Sequence, residues 1–228
     1  MVLLFSINAN CNRIINVKDF GAKADGITDD TKAIQAAINH ASAQSMTTIY
    51  FPKGIYSIAS YTATSNFLIN YCISVHSNIS IKRDGDETVI RLANHTFDKK
   101  DTSANGHIFL CKEVKNIQFS DILIDMNGSN NLVPENVFKN YSAIFGYVGE
   151  NFIIKNVTVK NCAGTNMLDI MSTGNNLLVE NCRFINGGNY VGDLISNKGQ
   201  VDFSFVYSEW SHTIIRNNFI QQQNIDIA

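Results

Sequence analysis

The acidic side chains best placed to transfer protons lie in the C-terminal third of this 228-residue chain. Hydrolysis of a glycosidic bond uses two carboxyl groups: one protonates the leaving oxygen, and the other activates water or attacks the sugar. Asp169 and Asp226 are predicted to share an outward column of a repeating sheet, with Asp193 and Asp202 in the adjoining insertion. We therefore take Asp169, Asp193 and Asp226 as candidate catalytic residues, with solvated turn carboxylates as the alternative.

Further side chains near these carboxylates could support the same chemistry. His212 is a candidate general base, because imidazole exchanges a proton near neutral pH, and a structural role at a turn is the alternative. Aromatic rings can stack on sugar faces, and cations can pair with acidic sugars. The candidate substrate-binding residues on these grounds are Phe203, Phe205, Tyr207 and Lys198, and Asp202 joins them as a member of the acidic cluster. The five cysteines form no C-x-x-C pair and no calcium-type acidic loop is apparent, so we expect no metal site and no cofactor.

A sequence repeat predicts the fold that positions these residues. Three segments align, at 151–159, 176–184 and 212–220, and residues 116–124 make a fourth. Each carries an amide or carboxylate between two short strands, at Asp121, Asn156, Asn181 and Asn217. A repeat of about 25 residues with three short strands predicts a parallel β-helix, in which these side chains stack into hydrogen-bonded ladders.

A third strand precedes each aligned segment, and its alternation predicts one buried and one outward face. Nine of its ten predicted inward positions are apolar, while Lys155, Glu180 and Arg216 share an outward column of alternating charge. The outward face is also unusually apolar. It predicts either a glycan platform rimmed by insertions at about 127–140 and 187–202 or an oligomer interface. Its predicted members are His107, Phe109, Cys111, Ser142, Ile144, Met167, Asp169, Met171, Phe203, Phe205, Tyr207, Asn224 and Asp226.

The two ends of the chain differ. Ile34, Ala37, Ile38 and Ala41 recur at helical spacing, so residues 31–44 predict an amphipathic helix that caps the N-terminal end of the solenoid. No comparable segment follows the last coil, which stops midway through a repeating strand, and we expect further coils, another domain or an oligomeric cap there. Residues 1–13 predict a signal-peptide remnant or a disordered tail.

Residues 17–38, VKDFGAKADGITDDTKAIQAAI, and residues 49–58, IYFPKGIYSI, resemble the N-terminal signature of the pectate-lyase-like superfamily. The coil pattern carries the resemblance to the end of the chain. The resemblance is to a polygalacturonase-related (glycoside hydrolase family 28-like) right-handed parallel β-helix. It implies an all-β solenoid over residues 14–228, with a cap at about 14–60 and coils at about 61–228, and proteins that act on polysaccharides.

The active-site motifs of that superfamily are only partly present. Residues 164–169 resemble the polygalacturonase motif Asn-Thr-Asp-Gly-x-Asp, but Asn166 stands where its first catalytic Asp would be. The paired Asp motif of the next coil would fall near Asn189 and Tyr190 and is absent, leaving Asp193 as the nearest carboxylate. Asn166, Asn189 and Tyr190 are therefore assigned to substrate binding.

Composition narrows the class of partner. The formal net charge of -2 shows no basic footprint for nucleic acid, and no apolar stretch is long enough to span a bilayer. The leading hypothesis is a secreted or surface glycoside hydrolase acting on an extended polysaccharide, with a uronate-containing chain as one option. The alternatives are a polysaccharide lyase and a non-catalytic glycan-binding or adhesion β-helix, and a homo-oligomer through the apolar outward face is a further expectation.

Overall fold

A computed structural model describes residues 13–41, 45–64, 69–85, 87–97, 105–132, 140–187 and 204–222, in which short strands follow one another around a solenoid. The N-terminal elements are β1 (Arg13–Asn16), β2 (Asp25–Asp29), α1 (Thr31–His40), β3 (Thr47–Phe51), β4 (Gly54–Ile58), β5 (Thr62–Thr64), β6 (Ile69–Ser74), β7 (Ile79–Arg83) and β8 (Thr88–Leu92). They are followed by β9 (Asn105–Ser120), β10 (Leu123–Asp125), β11 (Tyr141–Lys155), β12 (Thr158–Cys162), β13 (Asn166–Glu180), β14 (Arg183–Gly187), β15 (Ser204–Ser208), β16 (Ser211–Arg216) and β17 (Phe219–Gln221).

The strands form two sheets that each run the length of the solenoid. One has the order β1-β3-β7-β9-β11-β13-β15, with β6 also paired to β9 and β16 to β13; the other has the order β17-β14-β12-β10-β8-β4-β2. All neighbours pair in parallel except β5 and β6, which form an antiparallel hairpin. The predicted all-β parallel β-helix is therefore confirmed.

The core lies between the two sheets and consists of columns of apolar side chains. One column is in register from Ile49 through Ile81, Phe119, Ile154 and Val179, and each of these residues is fully buried. The opposite sheet contributes a matching column of Tyr56, Ile90, Ile124, Val159 and Phe184. Four described cysteines, Cys72, Cys111, Cys162 and Cys182, are buried free thiols, as expected of small core residues. Among the described residues, no helix has the length and apolarity needed to cross a bilayer.

The predicted cap helix is present as α1, which ends at His40 with Ala41 as its C-cap. Ile34, Ala37 and Ile38 are fully buried against the core. The acidic residues before the helix organise the cap: the Asp30 carboxylate accepts hydrogen bonds from the backbone of Lys23 and Ala24, while Asp29 caps the amide of Thr31. The acidic residues of the N-terminal signature thus hold the cap together through hydrogen bonds to its backbone.

Asparagine ladders define the corners of the coils. Asn78, Asn116, Asn151 and Asn176 stack in one corner, and the side-chain amides of the last three each donate to the side-chain oxygen of the preceding member at 2.8–3.1 Å. These residues have φ between 58° and 63°, in the left-handed region that Asn tolerates better than other residues with a side chain. The first step of the predicted ladder is confirmed one corner away, where Asn156 donates to Asp121 at 2.8 Å. A third ladder links Asp125, Asn161 and Asn186.

The predicted charge column is also confirmed. The Lys155 ammonium lies 3.1 Å from Glu180, and the Arg216 guanidinium lies 2.7 Å from the other oxygen of the same carboxylate. The neighbouring cations hydrogen-bond this carboxylate, so the pKa of Glu180 lies below its ordinary value. The column runs across β11, β13 and β16, which pair in that order through their backbones.

Asn151 offers a test of the ladder because it both donates to Asn116 and accepts from Asn176. Asn151→Ala should lower the free energy of unfolding by about 2–3 kcal/mol. It removes two hydrogen bonds, and it places at positive φ an alanine whose Cβ is sterically unfavourable there and which has no side-chain amide to offset that cost. Asn151→Gly removes the same hydrogen bonds without the conformational cost and should lose about 1 kcal/mol less. Urea unfolding followed by circular dichroism measures both values. Equal stability of the two variants would contradict the backbone part of the argument.

Candidate functional site

Near the start of each long strand two successive residues face the core, and we call this interruption of the strand's alternation the bend. In β9, the consecutive residues Ile108 and Phe109 are both buried in the core, so the alternation of faces is interrupted there. The same occurs at Ala143 and Ile144 in β11. In β13 it occurs at Met167 and Leu168. The outward side chains on either side of each bend therefore converge.

Two columns of outward side chains flank the bend, and we call their surface the outward groove. The strand register aligns Tyr71, His107, Ser142, Asn166 and Ser204 in the first column and Ser74, Leu110, Phe145, Asp169 and Tyr207 in the second. Contacts across the bend show the convergence. The His107 ring stacks on the Phe145 ring with centroids 4.3 Å apart, and the Asn166 amide lies 3.3 Å from Asp169 Oδ1.

This arrangement corrects the predicted outward face. Phe109, Cys111 and Ile144 face the core, while Leu110 and Phe145 face outward. The reason is that the corner differs in length between the two strands. Positive-φ residues mark its two ends, Val148 and Asn151 in β11 and Ser172 and Asn176 in β13, so the corner is one residue longer in β13. The extra residue shifts the pairing of β11 with β13 by one, so a constant offset from the Asn ladder predicts the wrong face beyond the corner.

Two further residues predicted to face outward lie on the core side of the bend. Met167 is fully buried in the core. Phe205 is partly buried and packs against the core, and its ring centroid lies 6.2 Å from that of the core residue Phe184. The bend places two successive residues inward, which simple alternation does not allow for. Tyr207 remains outward and is 40% exposed.

Asp169 is a buried carboxyl group on the outward side of the sheet. It has no exposed surface, and its two oxygens accept hydrogen bonds from the side-chain amides of Asn140 and Asn166. Burial raises the pKa of Asp169 to about 6, the two amide hydrogen bonds oppose the rise, and the charge of Glu209 adds to it. A carboxyl group with this pKa is present in both protonation states near pH 6 and can serve as an acid or a base.

Glu209 is held on the corner that follows β15. Its carboxylate accepts hydrogen bonds from the Tyr207 hydroxyl at 2.9 Å and from the Ser172 amide at 2.5 Å. Trp210 fixes the corner by donating to Met171 O and packing on Phe152. The Trp210 ring approaches the backbone so closely that a Cβ on Gly174 would lie 2.2 Å from it, so the contact requires glycine there.

His107 contributes a neutral imidazole to the groove. It is 1% exposed, its Nδ1 lies 2.7 Å from Ser142 Oγ, and burial lowers its pKa to about 3. Within the described ranges, His107 Nε2 and Asn140 Oδ1 are buried atoms without a hydrogen-bond partner. Buried polar atoms of this kind call for an explanation, and both could bond a ligand hydroxyl.

The structure brings together only part of the predicted site. Asn166 lies between Asp169 and Ser204, whose hydroxyl donates to it at 2.6 Å. His212 is not part of this cluster: it is exposed at the next corner, has φ 53°, and bonds Asn175 at 2.6 Å. Asp193, Asp226, Phe203, Asn189, Tyr190, Lys198 and Asp202 lie outside the described residues.

Sequence reasoning assigned no site role to His107, Ser142, Asn140 or Glu209. His107 and Ser142 were expected on the outward face, and their alignment in one column with Asn166 was the available signal. Nothing in the sequence pattern indicated Asn140, because its role depends on the approach of two coils.

Asp169 should make stability depend on pH. Because its pKa is raised, the folded protein keeps a proton that the unfolded chain releases between about pH 4 and pH 6. The free energy of unfolding should therefore lose about 2–3 kcal/mol as pH rises through this window. Asp169→Asn removes this contribution. The difference in unfolding free energy between the variant and the unaltered protein should therefore shift in favour of the variant by about 2–3 kcal/mol from about pH 4 to about pH 7.5.

Urea unfolding of both proteins at the two pH values measures the difference. His107 and Asp30 also have shifted pKa values, but they occur in both proteins and cancel in the comparison. A stability difference that does not change with pH would mean that Asp169 titrates normally.

Comparison with known proteins gives one family and several relatives. The family model described as "Rhamnogalacturonase A/epimerase, pectate lyase-like" matches residues 14–224. Alginate lyase 7 of Azotobacter vinelandii is 39% identical over 151 residues, which are 64% of this chain and 16% of that protein. The solved A-module of mannuronan C-5 epimerase AlgE6 from Azotobacter vinelandii is 26% identical, with a TM-score of 0.58 over 76% of this chain and 49% of that one.

A third relative has a different description. Plasmin and fibronectin-binding protein A of Streptococcus pneumoniae is 31% identical over 184 residues, covering 75% of this chain and 24% of that protein. Its solved structure is described as a surface adhesin and superposes with a TM-score of 0.52, at 26% identity, over 76% of this chain and 39% of that one. The chain thus spans less than a quarter of the length of the curated relatives it matches.

Proposed function

Since the chain belongs to the rhamnogalacturonase A/epimerase, pectate lyase-like family, we propose that it acts on an extended, uronate-containing polysaccharide bound along the outward groove. The observation that carries the proposal is Asp169, a carboxyl group buried outside the core with its pKa raised to about 6. Perturbed carboxyl groups in a groove are typical of sites that transfer protons. The relatives named as an alginate lyase and a mannuronan epimerase support a uronate as the substrate.

The proposed reaction is proton transfer at the carbon next to a uronate carboxylate, which leads to elimination or epimerisation. Asp169 in its ionised form takes the proton from this carbon. In elimination the proton then passes to the leaving glycosidic oxygen as the C–O bond breaks, and in epimerisation a proton returns to the same carbon from its other face. Hydrolysis needs two carboxyl groups at the scissile bond. Glu209 is the carboxylate whose charge acts on Asp169, but it is already bonded to Tyr207 and Ser172. Hydrolysis through this pair is the less favoured proposal.

A second candidate function is glycan binding without turnover, at the cell surface. Asp169 and His107 are at most 1% exposed, so the groove in this conformation presents little reactive surface. The resemblance to a surface adhesin supports the same view and an extracellular location. Turnover distinguishes the two functions.

Asp169→Asn tests the catalytic proposal directly. The variant keeps the size of the side chain but cannot exchange a proton, so turnover of mannuronan or polygalacturonan should fall about 10²-fold or more, with little change in affinity. Asp121→Asn is a matched control, because it places at a ladder corner the residue that the neighbouring coil carries at Asn156. It should retain full turnover.

The products identify the reaction. Ultraviolet absorbance of an unsaturated uronate indicates elimination, new reducing ends without it indicate hydrolysis, and deuterium uptake from solvent without cleavage indicates epimerisation. Undiminished turnover in Asp169→Asn would remove Asp169 from the chemistry. Equal binding by both proteins with no turnover in either would favour the binding function.

A further inference from the structure

The cap helix presents a polar face as well as the apolar face that closes the core. Lys32, Gln35 and Asn39 lie on this polar face of α1, opposite the buried Ile34 and Ile38. They form one wall of an open pocket of about 410 Å³. The other wall comes from the β5–β6 hairpin and the segment before it, with Ser60, Tyr61, Thr62, Tyr71 and Ser74.

Hydrogen bonds fix the two walls relative to each other. Gln35 bonds both backbone groups of Ser74, accepting from its amide at 2.7 Å and donating to its carbonyl at 3.0 Å. The same amide group reaches Asn39 Oδ1 at 2.9 Å. On the hairpin, Thr62 pairs directly with Tyr71. The pocket is therefore built from ordered elements of the fold.

The register connects this pocket with the outward groove. Tyr71 pairs with His107 and Ser74 pairs with Leu110, so both pocket residues are the N-terminal members of the two columns that define the groove. Three steps between coils, from Tyr71 through His107 and Ser142 to Asn166, separate the pocket from the coil of Asp169. At about 4.8 Å per step the separation is about 14 Å.

The pocket carries a positive charge that is available to a ligand. Lys32 is exposed and forms no ion pair among the described residues, which is also true of Lys18, Lys23 and Lys115, and of these four Lys32 is the one that lines the pocket. Asp29 is the acidic group beside the pocket, and it is occupied by hydrogen bonds from Ser60, Thr31 and the amide of Ala59. Burial alone would raise the pKa of Asp29, but these hydrogen bonds lower it.

From these observations we propose that the pocket is a distal subsite for an acidic sugar residue of the glycan bound in the outward groove. The carboxylate of the sugar pairs with Lys32, its hydroxyls bond Asn39, Ser60 and Thr62, and the rings of Tyr61 and Tyr71 line its apolar surface. This inference rests on the proposed function of the groove. It predicts a preference for chains long enough to span from Asp169 to the cap helix.

The test measures binding of oligomannuronates of increasing length by calorimetry, in the Asp169→Asn background to prevent turnover. Lys32→Ala should weaken the binding of long oligomers about three- to fivefold, the range expected for an exposed ion pair, and leave short oligomers unaffected. Lys32→Arg should retain the affinity. Added salt should reduce the difference between Lys32→Ala and its parent. Lys115→Ala, an exposed lysine beside the Asn116 ladder, is the matched control and should bind as its parent does.

The outcomes separate this inference from the function on which it rests. If long oligomers bind and Lys32→Ala matches Lys115→Ala, the subsite is wrong and the proposed function stands. An equal loss for short and long oligomers would also overturn the subsite, because it would place Lys32 at the main site. If oligomannuronates of every length fail to bind the Asp169→Asn parent, in which Lys32 is unchanged, both proposals fail for this substrate class.

Discussion

The fold depends on keeping the left-handed corners of successive coils in register. Each corner needs a positive φ, which costs an ordinary residue about 1–2 kcal/mol. Asparagine lowers this cost, and stacking it on the next coil adds an amide hydrogen bond, as between Asn116, Asn151 and Asn176. The same residue therefore turns the chain and fixes the vertical alignment of the coils. The apolar columns on both sides of the core follow from that alignment.

The ladder fixes alignment only at the corner, and the spacing between corners decides what lies beyond it. A single additional residue between Ser172 and Asn176 changes which residues of β11 face those of β13. In consequence Asp169 lies opposite Phe145 and not opposite Ile144. Had it lain one position along, the carboxyl group would point into the apolar core, where an isolated charge is very costly. The length of one corner thus determines that the acid lies on the outward side of the sheet and not in the apolar core.

Much of the fold could be predicted from the sequence because its determinants repeat. The Asn positions, the column of Lys155, Glu180 and Arg216, and the apolar stripe of α1 are each periodic, and each occurs in the structure as expected. The bend at Ile108 and Phe109 could not be predicted in this way, because it interrupts the alternation on which the reading depends. Asp169 was identified from its type and position. Its buried environment was not, since Asn140 reaches it from another coil.

The environment of Asp169 is unfavourable for the stability of the fold, and this bears on its role. A fully buried carboxyl group that receives two amide hydrogen bonds still has its pKa raised to about 6, so desolvation outweighs the compensation provided by Asn140 and Asn166. Corner carboxylates such as Asp121 face no such cost, because they lie at the surface and accept a ladder hydrogen bond. A residue whose only task was to support the coil would be better served by an amide or an apolar side chain, as the neighbouring coils show with Phe145 and Leu110 in the same column. The cost is understandable where the altered pKa is itself useful, and the neutral imidazole of His107 in the same groove points the same way.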